Sequence, residues 1–381
     1  MHIYQAQLTQ GAEAFSIPRN GRTPQLALLF ASPAHFTHPT FLERLRKTLP
    51  NTQIVGCSTS GEISPLGVTE DSAVVSAITF DHTSIRTAHD HVENAGDSHG
   101  AGARLARALA SPDLKAVFIL APGVDVNGSE LIAGITSVVG KPVVLTGGLA
   151  GDNGDFKQTW QMHEASCSDR LVVGVGFYGD QLLISHGSFG GWQSFGPARL
   201  ATRAQGNVLY ALDDEPALNV YKRYLGEYAT GLPASGLLFP FAILNDDRGE
   251  SGLIRTLLGI DETLGSITLA GDVPQGSYLR LMHASTESLI DGAEVAARNA
   301  SPLSPNPGPS LAILISCVGR KLVMGDHVEE EVEAVGSIVG PNCALTGFYS
   351  YGEISPLVGS SECRLHNQTM TITHLSESPA A

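Results

Sequence analysis

Pro50-Asn51-Thr52-Gln53-Ile54-Val55-Gly56-Cys57-Ser58-Thr59-Ser60-Gly61-Glu62-Ile63-Ser64-Pro65-Leu66 is a stretch the chain uses twice. Near the other end it reads Pro341-Asn342-Cys343-Ala344-Leu345-Thr346-Gly347-Phe348-Tyr349-Ser350-Tyr351-Gly352-Glu353-Ile354-Ser355-Pro356-Leu357. Aligned without a gap, nine of the seventeen positions are identical, which marks an internal repeat. In both copies a short apolar run reads as a buried strand end, glycines follow, one carboxylate (Glu62 or Glu353) comes next, and a proline stops the segment. Val143-Val144-Leu145-Thr146-Gly147-Gly148-Leu149-Ala150-Gly151-Asp152 is a third, degraded copy with Asp152 in the acidic place. Strand, helix, strand and Gly turn recur around each copy. Leu26–Phe30 and Leu311–Ile315 are expected as strands, with helices near Phe41–Leu49 and Val328–Val339.

Glycine turns can aim successive backbone N–H groups into one concavity, which favours an anion. A carboxylate beside such a nest suits the ammonium of a zwitterion, so the pattern predicts a pocket for a small molecule such as an amino acid. Its expected lining is Gly56, Cys57, Ser58, Thr59, Gly61 and Glu62 from the first copy, Gly151 and Asp152 from the degraded one, and Gly347, Tyr349, Tyr351, Gly352 and Glu353 from the last. The plainer alternative is a strand–turn–strand unit whose Glu caps backbone donors. Cys57 aligns with Phe348, so its position does not require sulfur, and it reads as a pocket or packing residue. An enzyme using Glu62 as acid and base, with Cys57, Ser58 or Thr59 as nucleophile, is a reading of another class. No histidine stands in either full copy to activate a hydroxyl, and neither full copy contains a Gly-x-Ser-x-Gly. The expectation is therefore a protein that is not an enzyme.

Composition narrows the partners. The 381 residues carry a net charge of −15, which leaves too few cations for phosphate backbones or anionic lipid. No apolar run reaches bilayer length, and the start lacks the look of a signal peptide. The five cysteines are odd in number and lack Cys-x-x-Cys spacing, so neither a disulfide framework nor a zinc knuckle is expected, and a reducing cytoplasm fits. His82, His89, His91 and His99 are read as an exposed strand and loop rather than a metal tract. Leu171–Tyr178 and Leu182–Ser185 are expected to pair across Gly179-Asp180, Pro216 to open a helix through Leu225, and 301–310 to be a proline-rich loop. The expected architecture is α/β: two lobes with mixed sheets and helices, 25–220 and 221–375, related by the repeat.

Gly56–Ile63, Gly147–Asp152, Gly191-Trp192, Phe195-Gly196-Pro197 and the helix start Leu212–Leu218 resemble the N-terminal domain of the FIST family. Gly347–Ile354 and His366-Asn367-Gln368-Thr369 resemble its C-terminal domain. The resemblance implies a bacterial sensory module that binds a small ligand. With no length left for an output segment, it also implies action on a separate partner such as a histidine kinase. Stand-alone members resemble NosP-type haem sensors of nitric oxide, which act through such a kinase on cyclic-di-GMP. For haem b the resemblance points to an axial histidine in an apolar slot. His186, ahead of Phe189, Trp192 and Phe195 as an aromatic floor for the porphyrin, is the first candidate and His163 the second.

Overall fold

The structure, a computed structural model, describes residues 1–9, 22–38, 40–301 and 308–378. Each copy of the repeat opens with two parallel strands joined through a helix, as parallel pairing requires. Leu26–Ala31 and Gln53–Ser58 flank helix Phe41–Thr48; Leu114–Ala121 and Val144–Leu149 flank Gly128–Val139; Ser310–Cys317 and Cys343–Ser350 flank Val328–Val339. The apolar runs are continuous because these strands are covered on both faces. One position explains a glycine common to all three copies. Gly56 lies opposite Leu29, Gly147 opposite Ile119 and Gly347 opposite Leu314. A Cβ there would stand 2.4, 1.9 and 1.8 Å from the neighbour's carbonyl oxygen. Gly56 and Gly347 are thus strand-interior residues that let two backbones close up, and not members of the turn the sequence suggested.

After its parallel pair, each copy sends a short hairpin into another copy's sheet. Glu62–Ser64 and Gly67–Thr69 join strand Cys343–Ser350. Gln161–His163 and Ser166–Ser168 join Gln53–Ser58. Gly352–Pro356 and Cys363–His366 join Val144–Leu149. The chain then returns antiparallel through Ser72–Thr79, Leu171–Tyr178 or Met370–Glu377, with Leu8-containing His2–Thr9, Ser84–His91 or Leu182–Phe189 at the edge. Three six-stranded sheets of the same order result, locked in a ring by exchanged hairpins. The pairing expected between Leu171–Tyr178 and Leu182–Ser185 does not form. Leu171–Tyr178 already has a neighbour on each side, so Gly179-Asp180 carries the chain from the second sheet to the third.

The third copy is interrupted. In the second, edge strand Ser84–His91 leads directly to helix Ser98–Leu109; in the third, residues 193–283 intervene between Leu182–Phe189 and helix Thr286–Ala300. The insertion is an antiparallel sheet carrying helix Ala217–Leu225, with a core that includes Leu209, Leu212, Tyr221, Phe241 and Leu279. The protein is therefore a two-lobed α/β structure with mixed sheets, all three copies of the repeat in the larger lobe and the insertion as the smaller. Residues 220 and 221 share one helix of the insertion. The smaller lobe is the insertion as a whole, because that segment closes its own core. Of the proline-rich loop expected at 301–310, residues 302–307 lie outside the described residues. Among the described residues no helix is long and apolar enough to cross a membrane.

Candidate functional site

The three bends of the repeat meet in the interior of the larger lobe. Ser60 N donates to Tyr349 O and Tyr349 N to Gly61 O, both at 2.9 Å; Gly151 N donates to Ser58 O at 2.9 Å; Tyr351 N donates to Leu149 O at 3.2 Å. These four backbone donors join one bend to the next, and Gly61 N donates to Thr59 Oγ1 of its own bend at 3.3 Å, where the sequence had assigned such groups to a ligand's anion. Gly151 packs so closely on Ser60 that a Cβ would stand 2.4 Å from its hydroxyl, and one on Gly352 would meet Leu149 and Leu365. Ser58 Oγ donates to Gly151 O and accepts from Trp160 N.

The acidic tips are wired alike. Glu62 is fully buried; Thr59 Oγ1 donates to its Oε1, and Ser72 N and Oγ donate to its Oε2 at 3.2 and 2.7 Å. Glu353 is equally buried; Ser350 Oγ donates to its Oε1 at 2.7 Å, and Thr369 N and Oγ1 donate to its Oε2 at 3.2 and 2.8 Å. Burial pushes the two carboxyls up to about 7 and about 8 against the pull of those donors. Asp152 accepts from the backbone N–H groups of Phe156, Lys157 and Gln158 and from the Tyr351 hydroxyl. Tyr349 donates to Glu331, which also holds the buried guanidinium of Arg320 at 2.7 Å. Every acid on the bends is engaged within the chain, which is the capping arrangement the sequence left open. Cys57 is buried in the hydrophobic core and its thiol is pushed well up. Lys321, which no sequence pattern marked, donates to Ser60 O at 2.6 Å and lies over the Tyr349 ring.

A different kind of site lies between the lobes. A cavity of about 450 Å³ opens among Phe189 and Trp192 at the end of the third copy's edge strand, Ile254 and Met282 of the insertion, and Val358, His366 and Thr369 of the exchanged hairpin region. None of the described residues lining it carries a formal charge. His366 Nε2 lies 3.0 Å from Ser355 O, a group that only accepts, so Nε2 bears the proton and Nδ1 is a lone pair. That Nδ1 is buried and has no partner. Burial holds the imidazole down to about 4, so it is neutral at pH 7. Thr369 on the cavity wall is the same residue that bonds Glu353. The sequence marked His366–Thr369 only as wording and gave it no role.

His186 lines a second cavity of about 920 Å³ on the other side of the loop 357–361, with His374, Ile184 and Lys141. Its Nδ1 is buried without a partner, and burial lowers its pKa. The aromatic floor expected beneath it is not assembled. Phe189 and Trp192 line the inter-lobe cavity, and Phe195 packs in the insertion. His186 and Phe189 are three residues apart on one strand and so point to opposite faces. Trp192 Nε1 is tied to Gln368 O at 2.8 Å. Both nitrogens of His163 are occupied, one 2.8 Å from His89 Nδ1 and one 3.0 Å from Thr87 Oγ1. Among the described residues no group of three or more His, Cys, Asp or Glu is placed to hold a metal ion.

The FIST N domain model matches residues 25–215 and the FIST C domain model residues 217–356. The junction between the two matches falls inside the inserted lobe. An uncharacterized protein of Methanocaldococcus jannaschii, MJ1623, is 25% identical over 282 residues, which are 64% of this chain and 52% of the relative. The chain thus spans about half the length of that relative. Among solved structures, cyanuric acid hydrolase from A. caulinodans is 8% identical over 99% of both chains with a TM-score of 0.35. A second cyanuric acid hydrolase structure gives 11% and 0.29. Superpositions this loose describe a general course of the chain and carry nothing further.

Proposed function

This chain belongs to the FIST family, whose domains are associated with sensory signal transduction, and on that premise we propose that it is a non-catalytic sensor that binds a small neutral ligand in the cleft between its lobes and signals to a separate protein such as a histidine kinase. The observation that carries this reading is an uncharged cavity of about 450 Å³ lined by His366, a residue whose buried Nδ1 has no partner. A buried acceptor left without a donor is costly, and a ligand N–H or O–H relieves it. The volume lies in the range of small-molecule pockets, and a junction between lobes is a usual place for one. An uncharged lining does not suit a free amino acid, whose two charges would both lose water there. Occupancy would draw the insertion toward the hairpin. Thr369 carries the change to Glu353 and so to the strand that locks the second sheet.

A thermal-shift screen tests this. Neutral compounds with an N–H or O–H donor should raise the melting temperature of the protein, and His366→Phe, which keeps a ring but removes the acceptor, should abolish the shift. Hits confined to charged amino acids, lost in Glu62→Gln and kept in His366→Phe, would return the site to the bends.

A second reading rests on His186. Its imidazole lines the cavity of about 920 Å³, is neutral and has a buried Nδ1 without a partner, which fits the axial ligand of a haem b, and Lys141 on the same lining fits a propionate. Haem would supply an iron able to take up nitric oxide. The absorption spectrum of the freshly purified protein decides: a Soret band that disappears in His186→Ala supports haem, and colourless protein that takes up no added hemin excludes it.

A further inference from the structure

A third cavity, of about 440 Å³, lies on the far side of the hairpin strand Cys363–His366, against helix Gly128–Val139. Its floor is Arg255, the residue after the Ile254 that faces the cleft. Arg255 is only 5% exposed. Its Nε donates to Asp272 O at 3.0 Å, and one terminal nitrogen donates to Ile254 O and Leu365 O at 3.0 and 3.2 Å. Those partners are all carbonyls, and among the described residues no carboxylate forms an ion pair with it. Arg320, the other deeply buried arginine, has Glu331 for that purpose.

A guanidinium taken out of water with no carboxylate in direct contact is expensive, and proteins normally pair one or leave it wet. The chain has made room for this one. A Cβ on Gly271 would come within 2.8 Å of Arg255 Nε and 3.1 Å of its central carbon. Burial draws its pKa down to about 10 against the pull of the nearby Asp272 carboxylate, with Arg364 adding to the fall, so it remains a cation at pH 7. The cavity has a basic rim as well. Lys141 and Arg364 line it with Arg255, against the single carboxylate of Glu362, which Arg364 engages at 2.6 Å. Ser129 and Ser361 add hydroxyls. Three cations around one hollow stand out in a chain whose net charge is −15.

We propose that this cavity is a binding site for a small oxyanion ligand, a molecule presenting a carboxylate or phosphate, with Arg255 as its buried anchor and Lys141 and Arg364 at the mouth. A planar guanidinium is the side chain best matched to either group, and the charge-assisted bonds it forms are the strong ones. The site is separate from the cleft, though the two share a wall: Arg364 and Leu365 face this cavity and His366 faces the other. An anion here would bear on the strand that carries the cleft's acceptor.

Isothermal titration calorimetry with inorganic phosphate and with succinate, in buffer of matched chloride, tests the site. Saturable binding of either probe is expected. Tighter phosphate points to a phosphorylated metabolite, and tighter succinate to a carboxylic acid. Arg255→Met should weaken binding by about tenfold or more. The exposed pair Lys141→Gln with Arg364→Gln should weaken it several-fold in a protein that folds normally, so the test survives if Arg255→Met does not fold. His366→Phe should leave anion binding in place, which separates this site from the cleft. No saturable heat with either probe up to about 10 mM, or binding unchanged in the Lys141/Arg364 variant, overturns the proposal.

Discussion

The glutamate-tipped bends and the inter-lobe cleft have opposite chemistries. At the bends each carboxylate oxygen has a donor and the backbone N–H groups reach into the adjoining bend. In the cleft a buried imidazole nitrogen has no partner and the walls are uncharged. The bends are what the sequence repeats; the cleft is where the repeat is interrupted. Repetition marks the structural joint, because three copies that trade hairpins must present three matching sockets. A cavity has no reason to recur at each socket, and the uncharged one beside His366 lies where the inserted lobe breaks the symmetry.

The strongest way to break this contrast is at the sockets. Gly347→Ala places a methyl 1.8 Å from Leu314 O, and no side-chain rotation relieves a backbone clash. A loss of more than about 4 kcal/mol is expected, read as a collapse of the urea midpoint or as insoluble protein. A variant within about 1 kcal/mol of the parent would show that the strand pair tolerates separation and that the glycine is not structural.

The buried acids give a smaller effect with a definite sign. Glu62 and Glu353 hold their protons in the folded protein up to about 7 and about 8, against 4.5 for the ordinary group. The folded state therefore binds more protons than the unfolded chain, and stability falls as pH rises through those values. His163 and His366, held down to about 4, act in the opposite sense below 6.5. Between pH 6.5 and about 8.5 the carboxyls should dominate, and stability should drop by on the order of 2 kcal/mol. Glu353→Gln can still accept from Thr369 and can donate to Ser350, so it should flatten most of that slope. An unchanged slope in the variant would place the titration elsewhere.

The smallest effect sharpens the comparison most. Glu62→Gln at pH 7 should change stability by less than about 1 kcal/mol and leave untouched any thermal shift produced by a cleft ligand. A ligand response that vanishes with Glu62 would join the two regions into one site.

Much of the framework was legible beforehand. The apolar runs, the helix Val328–Val339 and the recurrence of strand, helix, strand and glycine could be read off the chain because each is governed by local periodicity. The pairing of hairpins could not. Glu62–Ser64 has the same pattern whether it completes its own sheet or that of Cys343–Ser350, and only the closure of all three sheets selects the second. For the same reason Gly56 looked like a turn residue: a glycine needed for close approach and one needed for a turn are the same letter. His186 lies within the strand Leu182–Phe189 and not after it, and its separation from Trp192 depends on which face each residue takes once the insertion is packed.

By itself the sequence determined the repeated unit, the mixed α/β character and the family, since these reside in short-range patterns and in wording that recurs along the chain. Tertiary structure alone decided that the repeated acids are consumed at the joints, that His366 Nδ1 is left without a partner and that Arg255, on the other side of the same hairpin, is buried against carbonyls with no direct ion pair. Whether a polar group is satisfied depends on neighbours far away in the chain, which no local pattern records.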